Sequence, residues 1–273
     1  MPKKVKSKKV IYYKDPLNDD FAGTKIKQVK VDENFKFIHK NFFFKICSFI
    51  LYYIFVFPLI YIFERLILRV KIVNKKSLKQ VKKQNIFLYG NHTSAVDAYT
   101  PNILAFPKRN RIIVNPDAVS IKGIRTLVQM LGALPLPSQT SGMRKFLSAV
   151  EYYHKKGHIT IYPEAHIWPY YTGVRPFTSS SFKYPVKFNA PVVAFFVAYT
   201  KPKGFLSFMR KANVTVYISD VFVPNPELNQ KDAQQELRDK VYDFMVEKSK
   251  LSDYEVIEYK QIEEETDSQS EKE

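Results

Sequence analysis

The spacing of apolar positions changes sharply along this chain. From Phe42 to Val70, in "FFFKICSFILYYIFVFPLIYIFERLILRV", they follow almost without a break, and the 18 residues Ile46–Phe63 carry no charge. That approaches the ~20 apolar residues, at ~1.5 Å of rise each, that cross a bilayer. Pro58 interrupts the helical pattern. Cations stand on both flanks, in the lysine-rich stretch before it and at Arg65, Arg69, Lys71, Lys75 and Lys76 after it. Tyrosines at 52, 53 and 61 suit an interfacial depth. The pattern predicts a helical segment that dips into one leaflet and bends near Pro58, in preference to a crossing helix or a core helix.

Beyond residue 71 the pattern alternates. Strands are predicted at Ile86–Tyr89, Arg111–Asn115, "ALPL" (Ala133–Leu136), His158–Pro163, Ala190–Thr200 and Asn213–Ser219. Helices are predicted in "SIKGIRTLVQML", capped by Ser120 and stopped at Gly132, at Thr140–Tyr153, and at Pro226–Leu251. Ala190–Thr200 is apolar throughout, as a central strand covered on both faces would be. Such alternation implies an α/β domain: a mainly parallel mixed sheet flanked by helices, with a membrane-embedded hydrophobic helical segment ahead of it. Four regions are expected: a basic, largely irregular arm (1–41), the hydrophobic anchor (42–70), the α/β domain (71–255) and an acidic disordered tail (256–273).

Composition narrows the setting. The 273 residues suffice for one well-filled domain with appendages, and 45% of them are hydrophobic. The formal charge of +17, from 43 Lys and Arg against 26 Asp and Glu, implies an anionic partner. That could be a nucleic acid or an anionic membrane face. Stacking aromatics interleaved with cations would favour nucleic acid. Here the aromatics gather in the uncharged run and in the strands, so a lipid surface is the expected partner and nucleic acid is not. The single cysteine, Cys47, excludes an intramolecular disulfide and a cysteine-built zinc site.

Candidate chemistry begins in "IFLYGNHTSAVDAYTP". A strand ending at Gly90-Asn91 delivers His92 to the carboxyl edge of the sheet, where open α/β folds place their ligands. Asp97 follows five residues later, and a helical turn after Thr93 would bring it back to the same side. A carboxylate on one ring nitrogen fixes the tautomer and leaves the other as a base able to deprotonate a hydroxyl. Without a Gly-x-Ser-x-Gly elbow in the chain, that hydroxyl should belong to a substrate. Glu164 follows a strand 72 residues past His92, and Pro191 opens the most apolar strand 27 residues further on. Oxyanion donors are expected among backbone amides near the His92 turn or at a nearby helix start.

Asn-His-x-x-x-x-Asp, an apolar strand into Pro-Glu, and "PF…SSSFKYPVKFNAPVVAF" together resemble the glycerolipid acyltransferases of the lysophosphatidic acid acyltransferase type, over roughly Ile86–Thr200. The resemblance implies that His92 is the general base and Asp97 its partner. It places Pro163, Glu164 and the residue after them in the block that shapes the acceptor site, and Pro191 in a strand block beside the acyl or acceptor pocket. The reaction implied moves a fatty acyl group from acyl-CoA or acyl carrier protein, as co-substrate, to the hydroxyl of a lysophospholipid, with 1-acylglycerol-3-phosphate foremost. It needs no metal or redox cofactor. The enzyme would be membrane-associated, its site on the cytoplasmic side.

Two departures bear on the acceptor. The family's Pro-Glu-Gly reads Pro163-Glu164-Ala165 here, where a Cβ restricts positive φ and close approach. The arginine expected near Pro135–Pro137 to grip a phosphate is absent; Arg144, Arg175 and Lys183 are the candidates to replace it. Another lysolipid or a glycolipid, or a catalytically silent lipid-binding relative, are the other readings. His166 could stand in the site or behind it. Trp168, Tyr170 and Tyr171 could line an acyl groove or cover the sheet edge. His154 and His158, four apart, would suit zinc only on a helix that Gly157 should end.

Overall fold

Strands form where the apolar runs lie short and dense. In chain order they are β1 (Lys9–Tyr13), β2 (Lys71–Val73), β3 (Phe87–Gly90), β4 (Arg109–Val114), β5 (Ala133–Pro135), β6 (Gly157–Ile161), β7 (Val192–Thr200), β8 (Asn213–Phe222) and β9 (Ile257–Gln261). The computed structural model describes residues 8–21, 26–204 and 207–262. Seven strands make one sheet in the order β2-β8-β7-β3-β6-β4-β5. Its neighbours run parallel except for the antiparallel pair β7–β8, so the sheet is mixed and mainly parallel. The helices Met143–His154 and Gln230–Ser249 cover one face with a core that includes Phe87, Tyr89, Phe146, Leu237 and Val241. Leu88, Val193, Phe195 and Val197 face the second core, beneath Val70, Val81 and Leu104. Burial on both faces is why β7 reads as an unbroken apolar run.

The apolar segment is a continuous 26-residue helix, Phe42–Ile67. Pro58 lies inside it, and the preceding stretch Ile50–Val56 takes π-type hydrogen bonding, with the Phe57 N–H reaching back to the Tyr52 carbonyl. That looser turn accommodates a residue with no N–H, so the helix continues past Pro58. One face is fastened to the domain over most of its length. Ser48 Oγ donates to the Met130 carbonyl, Tyr52 OH to Asn102 Oδ1 at 2.9 Å, and Glu64 Oε1 accepts from Thr100 Oγ1 at 2.9 Å. Ser48, Tyr52, Ile60 and Glu64 recur at multiples of four, one stripe of the helix. Phe42, Phe43, Phe49, Phe55, Leu59 and Leu66 face outward.

The described arm is irregular apart from β1, as expected, and the tail's expected disorder needs correction. The arm is tied down. Val31 and Phe37 are buried in the first core, and the N–H groups of Val29 and Val31 donate to Ser120 Oγ and Ser138 Oγ, each at 2.9 Å. Ser120 therefore receives the arm, and the helix it was expected to cap starts only at Arg125. At the other end, Ile257–Gln261 form β9, which pairs in parallel with β1 to make a separate two-stranded sheet. Residues 1–7, 22–25 and 263–273, the rest of the arm and tail, lie outside the described residues.

Candidate active site

Register brings the two motifs together. β3 and β6 are neighbours with Tyr89 opposite Ile161, so His92 and Glu164 each stand three residues beyond a paired position, at the carboxyl edge. Gly90 is needed here because a Cβ on it would stand 2.2 Å from the Phe195 ring. Asn91 then exchanges two hydrogen bonds with the backbone of Val197, at 2.8 and 3.2 Å, and so fixes the chain direction just before His92.

His92 Nδ1 lies 3.1 Å from Asp97 Oδ2. The same oxygen accepts the N–H groups of Thr93 at 2.6 Å and Ser94 at 2.7 Å. Asp97 sits in a short 3-10 turn, Ala95–Ala98, where a helix was expected; the turn returns the carboxylate to the imidazole all the same. The His92 ring stacks on Tyr162, with centroids 4.4 Å apart. With Nδ1 turned to the buried carboxylate, Nε2 is the nitrogen left for a substrate.

Glu164 holds the other side of His92. Its Oε2 accepts the His92 backbone N–H at 3.0 Å and its Oε1 the Arg175 backbone N–H at 3.0 Å. The loop beyond it grips the same turn again: Trp168 N–H donates to the His92 carbonyl at 3.2 Å and Tyr170 N–H to the Thr93 carbonyl at 2.8 Å. Burial pushes the Glu164 carboxyl up, while the Arg175 guanidinium and the two backbone N–H groups pull it down.

Arg175 does not face a ligand. Its side chain is 1% exposed, its Nη2 donates to the carbonyls of Glu164 and His166, and its Nε lies 3.9 Å from Glu164 Oε2. Buried and held by backbone carbonyls, it cannot also reach for a phosphate. Arg144 is exposed in the first turn of the helix Met143–His154, outside the cavity lining. Pro191 is buried beneath the sheet edge, where its carbonyl accepts the Phe87 N–H, and it too is absent from the lining.

The cavity itself, about 870 Å³, opens at the His92 edge and is lined mainly by apolar side chains. His92, Pro163, Ala165 and His166 line it, as do Tyr52, Val56 and Ile60 of the apolar helix. Lys183 is the one lysine or arginine among the described residues that does so, beside Thr178, Ser180 and Ser181. Ala165 adopts φ 63°, so the backbone takes a glycine-like conformation although a Cβ is present. Trp168 lies elsewhere, in an aromatic cluster with Tyr13, Phe21, Tyr171 and Tyr259. Its indole N–H donates to the Asp19 carbonyl at 2.7 Å. The β1–β9 pair thus clamps the 164–171 loop from outside, a role that Trp168 alone could not disclose in sequence.

His154 and His158 are packed, not ligating. His154 stacks on Phe87, and His158 Nδ1 accepts the Ile86 N–H at 3.1 Å. Among the described residues no group of three His, Cys, Asp or Glu is arranged to hold a metal ion.

Residues 69–198 match the family model for acyltransferases. A comparison with curated proteins finds no match. Among solved structures, the 1-acyl-sn-glycerophosphate (LPA) acyltransferase PlsC of Thermotoga maritima is similar, with a TM-score of 0.50 at 19% sequence identity, over 70% of this chain and 79% of that one. Residues 69–198 therefore form a domain of the acyltransferase type, and the fold is that of the lysophosphatidic acid acyltransferases.

Proposed function

We propose that the chain moves a fatty acyl group from an acyl thioester, acyl-CoA or acyl carrier protein, to the hydroxyl of a lysophospholipid, with 1-acylglycerol-3-phosphate as the leading acceptor. The observation that carries this reading is the His92–Asp97 dyad on a largely apolar cavity whose wall is shared with the apolar helix. A lipid whose chain lies in the bilayer can bring its hydroxyl to such a base without leaving the membrane. The exposed aromatic face of Phe42–Ile67 seats the protein in one leaflet, since its opposite face is fastened to the domain. The domain then stands on the cytoplasmic side.

In the tautomer with its proton on Nδ1, His92 donates to Asp97 and takes the acceptor's hydroxyl proton on Nε2. The alkoxide oxygen attacks the thioester carbonyl, and a tetrahedral oxyanion forms. Collapse breaks the C–S bond, and the departing thiolate takes the proton back from the imidazolium. Asp97 stabilises that imidazolium and holds the ring in place. The amides of His92, Thr93 and Ser94 already donate to Glu164 and Asp97, so the oxyanion has to draw its donors from elsewhere in the cavity wall. Lys183, with its hydroxyl neighbours, supplies the positive charge for the acceptor's phosphate.

The test is transfer by purified protein in detergent, with a panel of lysolipids and acyl donors read by mass spectrometry. Wild type should acylate 1-acylglycerol-3-phosphate, and His92→Ala should lose at least about a hundredfold, the low end of general-base contributions. Full turnover by His92→Ala would overturn the assignment, and acylation of a different lysolipid alone would replace the acceptor.

A further inference from the structure

A second cavity lies at the opposite edge of the sheet. It measures about 240 Å³ and is walled by Lys45, Arg109, Arg111 and Lys156, with His39 and tyrosine rings between them. Arg109 and Arg111 open β4, whereas Ile112–Asn115 at its other end line the active-site cavity. The six steps from Arg109 to Asn115 span about 20 Å, and no residue lines both cavities. The two cavities are therefore separate sites.

Its charge is unbalanced. No Asp or Glu lines it among the described residues, and no ion pair among them involves any of the four cations. The arginines donate only to neutral partners, Arg109 to Ser48 and the Met130 carbonyl and Arg111 to the Gln129 carbonyl at 3.0 Å. The buried Nε of Arg109 has no hydrogen-bond partner among the described residues. Tyrosine faces supply the rest: the Arg109 guanidinium lies 3.6 Å from the Tyr52 ring centroid, that of Arg111 4.3 Å from Tyr153, and Lys156 Nζ 4.4 Å from Tyr152. Burial and the neighbouring Arg111 together pull Arg109 down to about 10. Four cations held together without a counter-ion, two of them planar forks, match a phosphate.

We infer that this cavity binds the phosphate of an anionic membrane lipid, at a site apart from the catalytic one. The lipid source follows from position. Phe44, Lys45, Ser48, Phe49 and Tyr53 of the apolar helix form one wall, and the outward faces of Phe42, Phe43 and Phe49 stand beside it. A bilayer that receives those phenyl groups presents its headgroups at the cavity. The phosphate chemistry rests on the cavity alone, and the lipid as its source rests on the membrane placement proposed above. A soluble phosphate, inorganic or on coenzyme A, is the other source to separate.

The test uses the full chain and the pair Lys45→Gln/Lys156→Gln, which leaves the hydrogen-bonded arginines in place. Partition onto phosphatidylcholine vesicles, with and without phosphatidylglycerol, is compared with that of Lys231→Gln/Lys240→Gln on the far helix. The site pair should lose roughly tenfold on anionic vesicles, nothing on neutral ones, and more than the control pair. If the vesicle arm is flat but inorganic phosphate or coenzyme A raises the wild-type melting temperature and not that of the site pair, a soluble phosphate is the ligand and the lipid source is overturned. Equal losses in both pairs, or no effect in either arm, would overturn the site. The site pair should keep wild-type transfer in detergent, so a failure here is distinguishable from a failure of the catalytic assignment.

Discussion

Glu164 holds His92 by the backbone and Asp97 holds it by the ring: Oε2 of the first accepts the His92 N–H at 3.0 Å, and Oδ2 of the second lies 3.1 Å from Nδ1. The imidazole is thereby fixed at two points by carboxylates from different segments. Glu164→Gln keeps one acceptor oxygen, gives up the second and weakens the tie to Arg175. We expect it to lower kcat more than tenfold and to reduce stability by about 1–3 kcal/mol, as for a buried partner left unsatisfied. Steady-state rates and thermal melts on the same preparation check this; unchanged kcat would mean that the backbone tie does not position the base.

Asp97 accepts three hydrogen bonds through one oxygen. In Asp97→Asn that position becomes either an amide oxygen or an NH₂ group, and only the oxygen can still accept. Turnover should fall by about a hundredfold or more while KM moves little, because the loss lies in base orientation and imidazolium stabilisation. An equal rise in KM would point to substrate binding instead.

Lys183 lines the cavity beside His92, where we propose that it meets an anionic acceptor. Lys183→Gln should raise KM about tenfold or more for 1-acylglycerol-3-phosphate, the scale of a charge-assisted hydrogen bond, and should leave a monoacylglycerol acceptor unaffected. A parallel loss on both acceptors would remove its headgroup role.

Ala165 carries a Cβ at φ 63°. Replacing it with glycine relieves that strain, so Ala165→Gly should gain roughly 1 kcal/mol, offset in part by the greater freedom of the unfolded chain. Ala165→Val should be destabilised. Melting temperatures of the three proteins decide it, and a fall in the glycine variant would show that the Cβ itself contributes packing.

His154 and His158 are both held near pKa 4, chiefly by burial, with Lys108 adding to it. Their folded pKa values lie below the ordinary 6.5, so the unfolded chain binds protons first as pH falls. The stability they contribute is complete above pH 6.5 and declines towards pH 4, by about 2 kcal/mol for each histidine by pH 5. His158 accepts the Ile86 N–H, which requires a neutral ring. Melts in detergent at pH 7 and pH 5 should show the loss, and His154→Phe should flatten the slope.

Much of the candidate site was legible because its residues sit in short, contiguous motifs: Asn91, His92 and Asp97 on one turn, Pro163 and Glu164 after one strand. What the neighbouring cations do was not. Arg175 and Lys183 are both cations in the same stretch, and only the fold shows one buried against Glu164 and the other on the cavity. The same holds for the arm. Lys9–Tyr13 gives a weak strand signal because its partner lies at Ile257–Gln261, and a pairing that remote leaves no local period. Arg109 and Arg111 carry no such signal, since nothing in their spacing reveals that no carboxylate among the described residues lines the cavity they share.

That remote pairing also sets an order of events. Trp168, Asp19 and Tyr259 meet where the first and last strands close over the loop that carries Glu164, so a ribosome must have translated through Gln261 before the clamp can form. Until then the histidine and its aspartate can already be near each other, while the loop that steadies them stays open. The nascent polypeptide is thus able to present its aromatic helix before the turn that carries His92 is held in its final place.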